Sequence, residues 1–228
     1  MKVMVVTAHA DDETLGCGAT IKKLTSAGNE VYLLILAELG YGARYTSAQI
    51  KTVDTPKIIE YIKKSSEILG FKWILSDYCF KDNQFDSHPL LDIVKTIEKY
   101  KEKYNPEVIY THNSRCLNID HQNTYRAAVT ATRPMREEPV KDLFTFEIPS
   151  STEWKFGGSI FTPNIFVSLT KKEVEAKIEA FKCYESEIRN CPHPRSVEGV
   201  LNLMKFRGYQ CGSLSGYAEA FYLVRSIR

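Results

Sequence analysis

Val3-Met4-Val5-Val6-Thr7 runs without a break into Ala8-His9-Ala10-Asp11-Asp12-Glu13, and this junction decides the fold. The first five residues read as a short buried strand. The charged turn leads into Thr14 to Ala27, a helix-length segment that ends at Gly28. Val31 to Ala37 is a second strand-sized apolar run, so the chain opens as a β-α-β unit.

The alternation continues outward from there. Ile58, Ile59, Ile62, Ile68 and Leu69 recur at helical spacing before Gly70, and Trp73-Ile74-Leu75 follows as a strand. Leu90 to Tyr104 reads as a helix with Leu91, Val94, Ile97 and Tyr104 on one side, and Pro106 separates it from the strand Val108-Ile109-Tyr110. Leu143 to Ile148 and Ile165 to Leu169 are further strands. Thr170-Lys171-Lys172-Glu173 has the form of a capping box and opens a helix. A helix around Val197 to Tyr209 and an apolar segment, Ala220 to Val224, complete the pattern. The class is α/β, a mainly parallel sheet flanked by helices, in one domain over residues 1–228.

Composition narrows the function. The chain has 228 residues, 43% of them hydrophobic and 25% charged, which suits a folded domain and excludes disorder or collagen-like repetition. A net charge of +2 gives no footprint for nucleic acid or an anionic membrane, and a small, weakly charged substrate fits better. No run approaches the roughly 18 apolar residues of a membrane span, and the N-terminus lacks a signal-peptide layout, so the expected location is cytoplasmic. Six cysteines at long spacings, with no C-x-x-C, signal neither a disulfide framework nor a zinc knuckle.

The chemistry concentrates in the first turn. One imidazole and three carboxylates, His9, Asp11, Asp12 and Glu13, fall within five residues at the carboxyl end of a strand, the edge where open α/β sheets bind ligands. Carboxylates crowded in a partly dehydrated turn repel, and a divalent cation removes the repulsion. His9 and Asp12 can face one point if the turn curls like the start of a helix, and one nitrogen with one oxygen is typical zinc ligation. The third ligand expected is His121, which follows Val108 to Tyr110 and so belongs to the same sheet edge. Asp120 is placed to orient a neighbouring ligand. Asp11 is then left beside the metal as a general base, and the reaction expected is metal-assisted deacylation. Iron(II) accepts the same donors as zinc.

His9-Ala10-Asp11-Asp12-Glu13 together with Asn118-Ile119-Asp120-His121 resembles the zinc-dependent N-acetylglucosaminyl deacetylases related to phosphatidylinositol-glycan class L and the LmbE-like proteins. The resemblance extends over nearly the whole chain. Tyr184-Glu185-Ser186, His193-Pro194-Arg195-Ser196 and Tyr217-Ala218-Glu219-Ala220-Phe221 are similar to less specific stretches of that family. It implies a Rossmann-like fold, Zn2+ on His9, Asp12 and His121, Asp11 as base, an N-acetylated amino sugar or its conjugate as substrate, and a homo-oligomer. Two positions depart from the family pattern. Ala10 stands where proline is usual, which loosens the turn without removing a ligand. Asn118 stands where a histidine usually stabilises developing charge; an amide still donates a hydrogen bond to an oxyanion but supplies no proton, so Asp11 serves as base and then proton donor, with His193 or His112 as replacements for the imidazole. Arg44, in the loop after the second strand, matches a substrate-binding arginine and suits sugar hydroxyls or a phosphate.

Plainer roles compete at other positions. Glu13 is explained equally by helix capping, His112, His88 and His193 by structural hydrogen bonds, and Arg195 and Arg207 by salt bridges. Phe144, Phe146, Trp154, Phe156 and Phe161 read as core, with the lining of a sugar site as the alternative. Gly16-Cys17-Gly18-Ala19-Thr20-Ile21 lacks the third glycine of a dinucleotide fingerprint. The alternatives to an N-deacetylase are a hydrolase of another small amide or ester and a non-catalytic sugar- or metal-binding module. Asp11 weighs against the second, because a binding site gains nothing from a base beside the metal.

Overall fold

The computed structural model describes residues 1–40, 55–158 and 160–228, together with the backbone but not the side chain of Cys79. In chain order the elements are β1 (Lys2–Thr7), α1 (Asp12–Ser26), β2 (Glu30–Ala37), α2 (Thr55–Leu69), β3 (Lys72–Phe80), a 3-10 turn (Phe85–Ser87), α3 (Leu90–Tyr104), β4 (Val108–His112), α4 (Ile119–Ala131), β5 (Asp142–Phe146), β6 (Ile165–Ser168), α5 (Lys171–Lys182), α6 (Val197–Cys211) and β7 (Ala218–Ser226).

The strands form one seven-stranded sheet in the order β3-β2-β1-β4-β5-β7-β6. β1 to β5 are parallel to one another, and β7 runs antiparallel between β5 and β6. The central strands are apolar throughout because both faces are covered. Val3 and Val5 of β1 and Val31, Leu33 and Ile35 of β2 pack under α1, α2, α5 and α6. Met4 and Val6, with Leu34 and Leu36, pack under α3 and α4 on the other face.

The sheet is the mainly parallel α/β architecture expected, and its last third adds two findings. Ala220 to Val224 belongs to a longer strand that enters the sheet between β5 and β6 instead of extending its edge. Trp154 (39% exposed) and Phe156 (85%) lie at the surface, whereas Phe146 and Phe161 are buried as core residues. β5 ends at Phe146, so the two exposed rings lie on chain beyond the strand's carboxyl end. Among the described residues no helix is long and apolar enough to cross a membrane.

Candidate metal centre

β1 and β4 lie side by side, with β2 on the far side of β1, so their carboxyl ends flank the crevice where strand order reverses. The chain leaving β1 turns at once into α1, which begins at Asp12 and not at Thr14 as the capping pattern suggested. Asp11 occupies the preceding position with φ +98° and ψ −29°, a left-handed conformation that costs a non-glycine residue about 1 kcal/mol or more. It is held there from both sides. Its N–H donates to Glu13 Oε2 at 3.1 Å, and its carbonyl accepts from Thr14 N and Leu15 N, each at 3.0 Å. Glu13, fully buried, is fixed in turn by Tyr184 Oη (2.7 Å), Thr14 Oγ1 (2.8 Å) and Ser65 Oγ (3.3 Å). The twist at Asp11 separates two adjacent carboxylates: Asp12 faces three histidines, and Asp11 faces a guanidinium.

Asp12 Oδ2 accepts the His9 N–H at 2.8 Å and lies 3.4 Å from His9 Nδ1. Its Oδ1 lies 3.3 Å from His121 Nε2, which is itself 3.3 Å from His9 Nδ1. Donor atoms of His9, Asp12 and His121 all fall within 4.8 Å of one another, so the third residue, carried by the first turn of α4 beyond β4, is brought to the first two. His112, at the end of β4, stacks on His121 at 3.9 Å, accepts the Ala8 N–H on Nε2 at 2.9 Å, and brings that nitrogen to 3.3 Å from Asp12 Oδ2. Its hydrogen-bonded structural role is the plainer one anticipated.

The donor set fits a divalent cation. Asp12 Oδ1 is buried without a hydrogen-bond partner, an arrangement that is costly unless a cation supplies the missing contact. Burial, reinforced by His112, drives His121 down to about 3, so its imidazole is neutral and offers a lone pair. Burial alone would raise Asp12, but His121 and His112 hold it well below the usual carboxylate range. Burial also works against a charge on His9, yet hydrogen bonds to Asp12, Asp120 and Asp82 raise it well above the usual imidazole value.

Further residues set the directions of these candidate ligands. Asp120, fully buried, accepts Asn83 N (2.6 Å) and Phe85 N (3.0 Å) and lies 2.9 Å from His9 Nε2. This contact leaves Nδ1 to face Asp12 and His121. Asp82 Oδ1 is 3.0 Å from the same nitrogen, so His9, Asp82 and Asp120 form a second close grouping. Cys116 Sγ lies 3.0 Å from His121 Nδ1. Asn118 caps α4 by accepting the Asp120 N–H at 2.8 Å, which commits its carbonyl oxygen and leaves its amide nitrogen as the donor.

Arg195 Nη1 lies 3.0 Å from Asp11 Oδ2 and 3.2 Å from Glu187 Oε2, while its Nε donates to Ser150 Oγ at 2.9 Å. Burial pushes Asp11 well above the usual carboxylate range, with Arg195 acting against that shift. Arg195 is salt-bridged, as its sequence suggested; that its partner is Asp11 was not foreseeable from residues 184 positions apart. Arg207 likewise pairs with Glu147 at 2.6 Å. His193 Nδ1 accepts the Arg195 N–H at 3.0 Å, a structural role. Arg44 lies outside the described residues.

A family model described as PIG-L, GlcNAc-PI de-N-acetylase, matches residues 4–132, more than half of the chain. A diacetylchitobiose deacetylase of Thermococcus kodakarensis is 38% identical over 74 residues, a match spanning 32% of this chain and 27% of that protein, so the chain covers about a quarter of that curated relative. Solved structures share the fold, among them the following two. An N,N'-diacetylchitobiose deacetylase from Pyrococcus horikoshii superposes with a TM-score of 0.73 at 18% identity, covering 98% of this chain and 84% of that one. GalB, the 4-carboxy-2-hydroxymuconate hydratase of Pseudomonas putida KT2440, also reaches 0.73 at 18% identity, covering 100% and 97%. Two differently named enzymes on one scaffold mean that the reaction has to be argued from the site.

Proposed function

The chain belongs to the PIG-L family of GlcNAc-PI de-N-acetylases, and on that premise we propose that it is a metal-dependent hydrolase that removes the acetyl group from an N-acetylglucosamine-type amino sugar or its conjugate. The observation that carries this reading is the buried Asp11 carboxylate, held one residue from the converging donors of His9, Asp12 and His121. His9, Asp12 and His121 are the proposed ligands, and two nitrogens with one oxygen favour zinc. A cation bound there would polarise the acetyl carbonyl and make water acidic enough to react near neutral pH.

The chain's own residues supply the rest. Asp11 takes the proton of the attacking water and, with no imidazole at position 118, returns it to the leaving amine. Burial suits Asp11 to both tasks, since a carboxyl with a raised pKa is a stronger base and, once protonated, keeps its proton until the amine leaves. Arg195 moderates that rise. Asp120 orients His9, and the Asn118 amide is the proposed donor to charge developing on the carbonyl oxygen. Arg44 is the proposed contact for sugar hydroxyls or a phosphate.

The test is acetate release from a panel of N-acetylglucosamine conjugates (free, inositol-linked, malate-linked, nucleotide-linked and oligomeric), with zinc-loaded and chelated protein. Metal-dependent release from one of them, lost in Asp11→Asn while zinc is retained, is the result expected. Zinc binding with no acetate released from any conjugate would sink the N-deacetylase reading.

A further inference from the structure

α1 is not one continuous helix. Cys17 has φ −148° and ψ 23°, which breaks the hydrogen-bond ladder five residues after Asp12. In an unbroken helix the Ala19 N–H would donate to the Leu15 carbonyl. Here Leu15 O accepts from Lys177 Nζ at 2.8 Å, Lys177 Nζ contacts Glu219 Oε1 at 2.6 Å, and Glu219 Oε1 accepts from Ala19 N at 3.1 Å. Glu219 Oε2 also accepts from Thr20 N at 2.7 Å. An ion pair therefore stands between Leu15 O and Ala19 N, and its carboxylate takes the next N–H of the helix as well, with Lys177 supplied by α5 and Glu219 by β7. Both side chains are 3% exposed, so water does not replace them.

The surroundings are shaped to admit the pair. A methyl group on Gly16 would come within 2.4 Å of the Phe146 ring, and one on Gly18 within 3.3 Å of Lys177 Cγ. The two glycines that fail as a dinucleotide motif thus let a bent helix lie against β5 and the lysine stem. The segment Asp12 to Gly16 is wholly buried, so its polar backbone groups need protein partners at the break.

From this geometry we infer that Lys177 and Glu219 are positioning residues for the metal centre. They stabilise the break at Cys17, and the break sets the direction of the first turn of α1, which carries Asp12 toward His9 and His121. The inference rests on the proposed metal role of Asp12. Without the pair, α1 recovers the Leu15–Ala19 bond by straightening, and Asp12 turns with it.

Removing one partner alone strands a buried charge, so the test is the double variant Lys177→Met/Glu219→Gln, whose side chains are neutral and of similar length. The control is Lys101→Met/Glu138→Gln, which removes the buried pair on the other side of the sheet, where Lys101 Nζ meets Glu138 Oε2 at 2.5 Å. Zinc affinity is measured by chelator competition, ligand geometry by the visible spectrum of the cobalt(II) form, and stability by thermal melting. The expected result is zinc binding about tenfold weaker and an altered cobalt spectrum in the Lys177/Glu219 variant, against unchanged affinity and spectrum in a control of comparable melting temperature. Unchanged affinity and spectrum in the folded test variant would overturn the inference. Should that variant not fold, Gly18→Ala presses on the Lys177 stem while keeping both charges, and the same two readings decide. Wild-type metal uptake indifferent to Asp12→Ala would instead remove the metal reading, and this inference with it.

Discussion

Arg195 Nη1 meets Asp11 Oδ2 at 3.0 Å, so the carboxylate proposed as the base is in contact with a permanent positive charge. Burial and the guanidinium pull Asp11 in opposite directions, burial upward and Arg195 downward. Arg195→Met removes the downward pull. Asp11 acts as a base only when ionised, so the acid limb of kcat/KM must move to higher pH. A tenfold weaker acid at Asp11 costs about tenfold in kcat/KM on the acid side and leaves the alkaline plateau in place. Arg195→Lys restores the charge and part of the original profile. A loss of equal size at every pH would show that Arg195 acts on something other than Asp11.

Among the described residues, Asp120 touches the proposed ligands through His9, with Oδ2 at 2.9 Å from Nε2. Asp120→Asn keeps the shape and an acceptor for one backbone N–H but removes the charge that orients and polarises the imidazole. Metal affinity is expected to fall about 10- to 100-fold, as for other carboxylates behind a ligating histidine. Chelator competition on the metal-loaded protein measures it. Wild-type affinity in the variant would mean that Asp82, 3.0 Å from the same nitrogen, suffices alone.

Local features of the fold were readable in the sequence, and contacts between distant segments were not. The β-α-β opening and the parallel core followed from apolar runs and helical spacing, because each is written within a dozen residues. His9 and Asp12 lie in one turn, and His121 follows the strand that pairs with β1, so their meeting needed only the rule for sheet edges. The insertion of β7 between β5 and β6 has no such local signal, since strand order is set by packing and not by periodicity. The start of α1 was misplaced by two residues for a related reason. Acidic residues before Thr14 look like a cap, and the left-handed Asp11 depends on Glu13 and, through it, on Tyr184 far along the chain. The pairing of Arg195 with Asp11 was hidden in the same way.

Cys116 contacts the third proposed ligand from behind, with Sγ 3.0 Å from His121 Nδ1. Burial raises this thiol to about 11, so it stays a neutral group near pH 7. Cys116→Val removes the only polar side-chain contact on Nδ1 seen among the described residues, and Cys116→Ser keeps one. The valine variant is expected to bind zinc several-fold more weakly, with the serine variant close to wild type. Equal affinities in the two variants would assign Cys116 to packing alone.

Tyr184 Oη donates to Glu13 Oε1 at 2.7 Å inside the core, and Glu13 in turn holds the strained Asp11. Burial raises Glu13 above the ordinary glutamate value, and the hydrogen bond from Tyr184 is the largest influence lowering it. Tyr184→Phe removes that influence and raises Glu13 further. A carboxyl whose folded pKa lies above its unfolded one destabilises the fold as pH rises from the unfolded value through the folded one, and has no such effect below both. The variant widens that window, so its deficit must grow as pH rises above the ordinary glutamate range toward neutrality. A lost bond to a buried carboxylate amounts to about 1.5–3 kcal/mol, which for a chain of this length lowers the melting temperature by roughly 3–12 °C at neutral pH. Thermal melts of both proteins across that range measure the gap. A gap that stays constant with pH would mean that Glu13 is already protonated in the wild type, and that the hydroxyl anchors Asp11 through a neutral hydrogen bond.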